Sequence, residues 1–146
     1  MQAVEQSIID KLEIDALVAR YAWALDTNNI ADLDLIFTDD AVITDTSGNR
    51  YEGRDAAVGY LRTLAASAPF RGRQHLIYNM ILSPTADGYD ARSYWTVTQW
   101  LTGKGTKEVV AVGHSIDGFR KVEGKWKWTA RHLHHWKDSD CPWNEA

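Results

Sequence analysis

Apolar residues recur at intervals of three and four early in the chain. Ile14, Leu17, Val18, Tyr21, Ala22 and Leu25 form one stripe, the mark of a helix with a single buried face. The pattern predicts a long helix over Ser7–Asn28, stopped by Thr27, Asn28 and Asn29. A short second helix follows over Ile30–Phe37, with Leu33, Ile36 and Phe37 turned inward. The period then changes to two: Ala41–Asp45 reads as a strand, Ser47-Gly48-Asn49 as a turn, and Arg50–Gly53 as the return strand of a hairpin. Helical spacing resumes over Arg54–Ala66, with Ala57, Val58, Leu61 and Leu64 inward, and Pro69 and Gly72 end it.

The rest is extended. Gln74–Ser83, Tyr89–Thr102, Lys107–Val122 and Lys125–Trp136 are rich in Val, Ile, Thr, Tyr and Trp. The turns Asp87-Gly88, Gly103-Lys104-Gly105 and Glu123-Gly124 join them as antiparallel neighbours. Helices first and a meander of strands afterwards predict an α+β domain with its helices on one face of a curved sheet. No repeat or linker divides the chain, so residues 1–146 are expected to form one domain, with 137–146 as a C-terminal tail.

Asp26 breaks the stripe of the first helix. It follows Trp23 by three residues and Ala22 by four, so it projects from their side, towards the interior. A buried carboxylate costs several kcal/mol unless something pairs with it, and a histidine from elsewhere in the chain is the partner to seek.

Composition narrows the function. A net charge of −4 leaves no basic footprint, which argues against nucleic acid as a partner. No apolar run approaches the roughly 20 residues that cross a bilayer, and the first residues lack the pattern of a signal peptide. The single cysteine, Cys141, can form no internal disulfide, so the expected setting is the cytoplasm. Seven tryptophans and six tyrosines stand against three phenylalanines. Aromatics with polar handles suit pockets and subunit interfaces, where an apolar wall must also offer a hydrogen bond.

His132-Leu133-His134-His135 invites a metal reading: His132 and His134 share a strand face, and Asp138 or Asp140 is a third candidate ligand. No second ligand pair of usual spacing accompanies them, so no metal is expected, and the histidines are assigned to an interface or to the exposed end of the last strand. No glycine-rich phosphate loop suggests a nucleotide.

The order of elements and the phrases RYAWALD, LIFTDDAVITD, YEGRDAAVGYL, RQH and FRKVEGKWKWTAR resemble the NTF2-like superfamily in its SnoaL-like branch. That branch includes scytalone dehydratase, a hexachlorocyclohexane dehydrochlorinase and bile-acid dehydratases. The resemblance runs from about Ile14 to His135. It implies a cone-shaped α+β barrel: three N-terminal helices packed on a strongly curved, mostly antiparallel sheet around a deep apolar pocket. It also implies a catalytic dyad of Asp26 and His75, with the imidazole as general base and the carboxylate orienting it and holding its charge. Arg131 matches a pocket arginine that faces the leaving group. Strict alternation groups Arg131 with Leu133 and His135 and opposite Trp126, Trp128 and Ala130, so a bulge or the bend of the sheet decides where it points.

Tyr21 and Trp23 flank the aspartate, and Tyr21 is a candidate donor to a substrate oxygen. Scytalone dehydratase has a tyrosine directly before its aspartate; Leu25 stands there in this chain, so that role does not transfer. Thr96, Thr98 and Trp100 share one strand face, and Ala111, Gly113 and Ser115 another. By the family pattern these faces line the cavity, together with Ile43 and Phe70, and His114 falls on the opposite side. The function implied is a lyase or isomerase that needs no cofactor and acts on a small apolar molecule of aromatic or polyketide type. The alternative is a non-catalytic binding module or accessory subunit of the same fold. A homodimer or homotrimer is expected, with no membrane partner.

Overall fold

The computed structural model describes residues 2–101 and 103–137. The expectations for Asp138, Asp140, Cys141 and the tail beyond 137 lie outside the described residues.

Helix α1 (Gln2–Asp26) begins earlier than its apolar stripe suggests, because its first turns run on with Val4, Ile8 and Leu12 exposed. Its end is set locally. The Thr27 hydroxyl and amide donate to Trp23 O, the Asn29 amide to Ala24 O, and Asn28 takes a left-handed φ of 57°. Asn29 then caps α2 (Ile30–Ile36), its side chain accepting from the Asp32 amide. Strand β1 (Phe37–Thr44) turns back into β2 (Arg50–Glu52) around Asp45, whose Oδ1 accepts from the amides of Ser47 and Asn49. Helix α3 (Arg54–Ala66) and a 3-10 turn (Ala68–Phe70) lead to β3 (Arg73–Pro84), β4 (Gly88–Leu101), β5 (Thr106–Val122) and β6 (Lys125–His135).

The six strands lie in the order β2-β1-β6-β5-β4-β3. Neighbours are antiparallel except β1 and β6. The sheet is curved and mostly antiparallel with three helices packed on it, as expected, and it stays unclosed. The reason is where the helices sit: α1 packs on β3 at one edge and α3 on β1 and β2 at the other, so helices, not strand pairing, cover the open side. Among the described residues no helix is long and apolar enough to cross a membrane. Trp128 is fully buried at the core's centre, with the rings of Tyr21, Phe119 and Phe37 at 4.9, 5.0 and 5.9 Å.

Two irregularities aim side chains. In β6, Ala130 pairs with Gly118 but Trp128 with Phe119, so Thr129 is an extra residue, a bulge. Parity changes across it, and Trp128 and Arg131, which strict alternation sets on opposite faces, both point inward and are both buried. Gly118 accommodates the bulge: a Cβ there would lie 2.6 Å from Thr129 Oγ1. In β3 the register shifts between Tyr78 and Ile81, at Asn79 with its φ of 53°.

On β4 the faces are the reverse of those expected. Ala91, Ser93, Trp95, Val97 and Gln99 are buried, and Thr96, Thr98 and Trp100 lie on the outer face. Both faces mix apolar and polar residues, so periodicity does not choose between them. The partner strand does. Trp95 pairs with Gly113, where any Cβ would stand 2.3 Å from the indole, so the ring fits inward only over a glycine. On that inner face Ser93 bonds Ser115 and Gln99 donates to the carbonyls of Pro69 and Arg71, while the Trp95 indole N–H has no partner among the described residues.

Candidate active site

Asp26 is the last residue of α1, and His75 the third residue of β3. Across 49 positions of sequence the two side chains meet: Asp26 Oδ1 lies 2.5 Å from His75 Nδ1, and Oδ2 accepts the His75 backbone amide at 2.8 Å. Both oxygens of the carboxylate are thus engaged by one residue, which fixes ring and backbone together. Each side chain is about six-sevenths shielded, at 14% and 15% exposure. An ionised carboxylate can only accept, so Nδ1 carries the proton and the Nε2 lone pair is left for chemistry.

His75 forms part of the wall of a cavity of about 260 Å³ inside the curve of the sheet. Tyr21, Phe70, Trp95, Val97, Leu133 and Arg131 are among the other residues around it. The Phe70 ring stacks on His75, with centroids 5.4 Å apart. The cavity is mostly apolar, with a few convergent polar groups, which is the usual make-up of a small-molecule site.

Arg131 is 2% exposed, and its Nη1 donates to both oxygens of Asp117, at 2.9 and 3.0 Å. Ser115 donates to the same carboxylate at 2.8 Å and bonds Ser93 in turn. The guanidinium lies over the rings of Tyr21 and Trp128, at 4.8 and 5.3 Å. Burial is the strongest single influence and opposes its charge, but Asp117 and Tyr21 together outweigh it and hold the guanidinium above its ordinary range. Burial also pushes the Asp117 carboxyl up, against the pull of Arg131. The Tyr21 hydroxyl is raised by burial too, although Arg131 draws it back, so it stays protonated and able to donate.

Of the residues expected at the site, Asp26 and His75 are brought together, and Tyr21, Phe70 and Arg131 line the cavity. Ser115 is buried behind Arg131 in its hydrogen-bond network and is not part of the wall. Five expectations are corrected besides. Trp23 is 73% exposed in a groove between α1 and β3, because its position on the helix faces away from the sheet's concave side. Ile43 is fully buried in the core, which α3 covers, and does not reach the cavity. Thr96, Thr98 and Trp100 lie outside for the reason given by β4.

Asp117 and Trp95 are not among the residues expected at the site, and Leu133 and His135 line the cavity although the histidine run is expected at an interface or at the exposed end of the last strand. Asp117 was legible: it follows Ser115 by two residues, so the alternation that turns Ser115 inward places a buried acid there as well. His114 lies on the outer face, as alternation suggests, where its Nδ1 accepts from Trp136 Nε1 at 2.8 Å and its ring stacks on His134 at 4.6 Å. His132 Nδ1 meets the Thr44 hydroxyl at 2.9 Å. Among the described residues no group of three or more His, Cys, Asp or Glu side chains is arranged to hold a metal ion.

Known structures share the fold. Rv3472, a function-unknown protein from Mycobacterium tuberculosis, is 26% identical with a TM-score of 0.81 over 94% of this chain and 78% of its own. A scytalone dehydratase-like protein from Novosphingobium aromaticivorans is 21% identical, with a TM-score of 0.80 over 92% of this chain and 89% of its own. ActVI-ORFA from Streptomyces coelicolor is also 21% identical, with a TM-score of 0.75 over 86% and 96%. No curated protein matches the chain. The SnoaL-like domain profile matches residues 6–132, nearly the whole helix-and-sheet unit that carries the cavity and the aspartate–histidine pair, and the chain belongs to that family.

Proposed function

We propose that this protein is a lyase or isomerase that needs no cofactor, with His75 as general base and Asp26 as the residue that orients it. The observation that carries the reading is the double engagement of Asp26 with His75 at the edge of a largely apolar cavity. Membership of a family that includes polyketide cyclases and dehydratases supports it. His75 Nε2 takes a proton from carbon beside an electron-withdrawing group, and Asp26 stabilises the imidazolium that results. The electron pair of the broken C–H bond then forms a double bond as a leaving group departs from the neighbouring carbon, or the proton returns at another carbon. Arg131 and Tyr21 face the developing oxyanion. The wall suits a small aromatic or polyketide-like substrate.

The test is a panel of hydroxylated aromatic and polyketide-type compounds, followed by mass spectrometry for loss of water. His75→Gln should lower turnover by about 10²–10⁴-fold with an unchanged circular-dichroism spectrum. Equal turnover in wild type and variant would remove His75 from the chemistry, and binding without turnover would favour the binding module.

The proposal includes a cytoplasmic setting and a homodimer or homotrimer formed through the outer face of the sheet. Leu76, Tyr78, Ile81, Trp100, Val109 and Ile116 are exposed on these strands, and a groove of about 570 Å³ crosses that face beside Tyr94 and His114. Sedimentation velocity should read a dimer or trimer; a monomer would retire this part alone.

A further inference from the structure

Arg73 stands two residues before His75 on β3 and lines the same cavity. Positions two apart on a strand share a face and lie about 7 Å apart. The Arg73 guanidinium rests over the Phe70 ring at 4.8 Å, and the same ring stacks on His75. Phe70 therefore holds the cation and the imidazole in one wall.

The state of this cation is unusual for the chain. Acidic residues outnumber basic ones, 20 to 16. Of the arginines that are partly or fully buried among the described residues, Arg54 pairs with Asp39, Arg120 with Asp40 and Arg131 with Asp117. Arg73 has no carboxylate partner among the described residues, and among them its buried Nε, like those of Arg54 and Arg131, has no hydrogen-bond partner. Arg131 is the other cation of the cavity, but Asp117 already cancels its charge. Asp26 is committed to His75 through both oxygens. A half-buried guanidinium on the cavity wall, next to the imidazole and with no carboxylate beside it among the described residues, is a binding group without its anion.

We infer that Arg73 is an anion-binding residue and that the cavity takes a small carboxylate-bearing molecule, whose carboxylate lies within a few bonds of the carbon presented to His75. A guanidinium offers pairs of parallel donors, the geometry that matches a planar carboxylate. The charges then balance in pairs: Asp117 with Arg131, the ligand with Arg73, and Asp26 with His75 once it has taken a proton. This assignment rests on the cavity being the substrate site proposed above, and binding reads it separately from turnover.

The test is calorimetric titration of benzoate and cinnamate, each against its primary amide, into wild type, Arg73→Gln and Arg73→Lys at neutral pH. At least one carboxylate should bind wild type about tenfold more tightly than its amide, the worth of one charge-assisted pair. Arg73→Gln should bring that ratio close to one with an unchanged melting temperature, and Arg73→Lys should keep part of it. No carboxylate binding, an acid-to-amide ratio near one in wild type, or a ratio that survives Arg73→Gln would each overturn the assignment. His75→Gln separates the two readings. A preserved acid-to-amide ratio together with turnover equal to wild type keeps the anion site and retires the proposed chemistry, whereas turnover that depends on His75 with no charge preference does the reverse.

Discussion

Asp26 occupies an electrostatically poor place for its helix. A carboxylate in the last turn faces the negative end of the helix dipole and the unpaired carbonyls there, so it does not serve the stability of α1. The two hydrogen bonds to His75 offset that cost. Asp26→Asn keeps the shape but can present an amide N–H to Nδ1, which favours the wrong tautomer. Turnover of any compound the wild type converts should fall by about 10³-fold or more, with little change in the unfolding midpoint. Arg131 is the opposite case, since its partner is internal. Arg131→Met leaves Asp117 buried and unpaired and should cost about 3–5 kcal/mol by denaturant unfolding. The double variant Arg131→Met/Asp117→Leu should recover most of that loss, because two apolar groups replace the pair. At this scale the aspartate, the histidine and the arginine were legible as residue types, but the distances between them were not.

The elements themselves follow from local pattern, and most of their ends agree within a few residues with those expected. What local pattern left open was which face of a strand turns inward. On β6 one extra residue, Thr129, decides it for Arg131; on β4 the answer lies in the opposing strand, where Gly113 makes room for Trp95. Gly113→Ala brings a Cβ to 2.0 Å from His134 O and 2.3 Å from the Trp95 ring. The variant should lose about 1–3 kcal/mol of stability in urea melts, as overpacking does. Its displaced indole should also weaken ligand binding in the cavity, read by the same titrations.

Over the whole molecule, stability should respond to the histidines on the outer face. Burial holds the His114 imidazole below its ordinary 6.5, and the neighbouring His134 adds to this. In the folded state its neutral Nδ1 accepts from Trp136, a bond that protonation removes. The unfolded chain therefore binds the proton more readily. The contribution is intact above about 6.5 and is lost as pH falls through the lowered folded value. Thermal melting followed from neutral to mildly acid pH should show this loss in wild type and a smaller one in His114→Asn, whose side-chain oxygen can still accept. An equal loss in both would assign the acid sensitivity to other groups.

The chain by itself determined its periodicities, its turns and the presence of an acid where a helix should be apolar, because these depend on residues a few positions apart. Its family was equally readable, since the order of those elements is written along the chain. Tertiary structure alone decided that the sheet stays open, that Arg131 points inward with Asp117 against it, and that Arg73 has no acid of its own among the described residues. Each of these depends on which residue lies across from another in a neighbouring strand or helix, and pairing of that kind is set by packing in space.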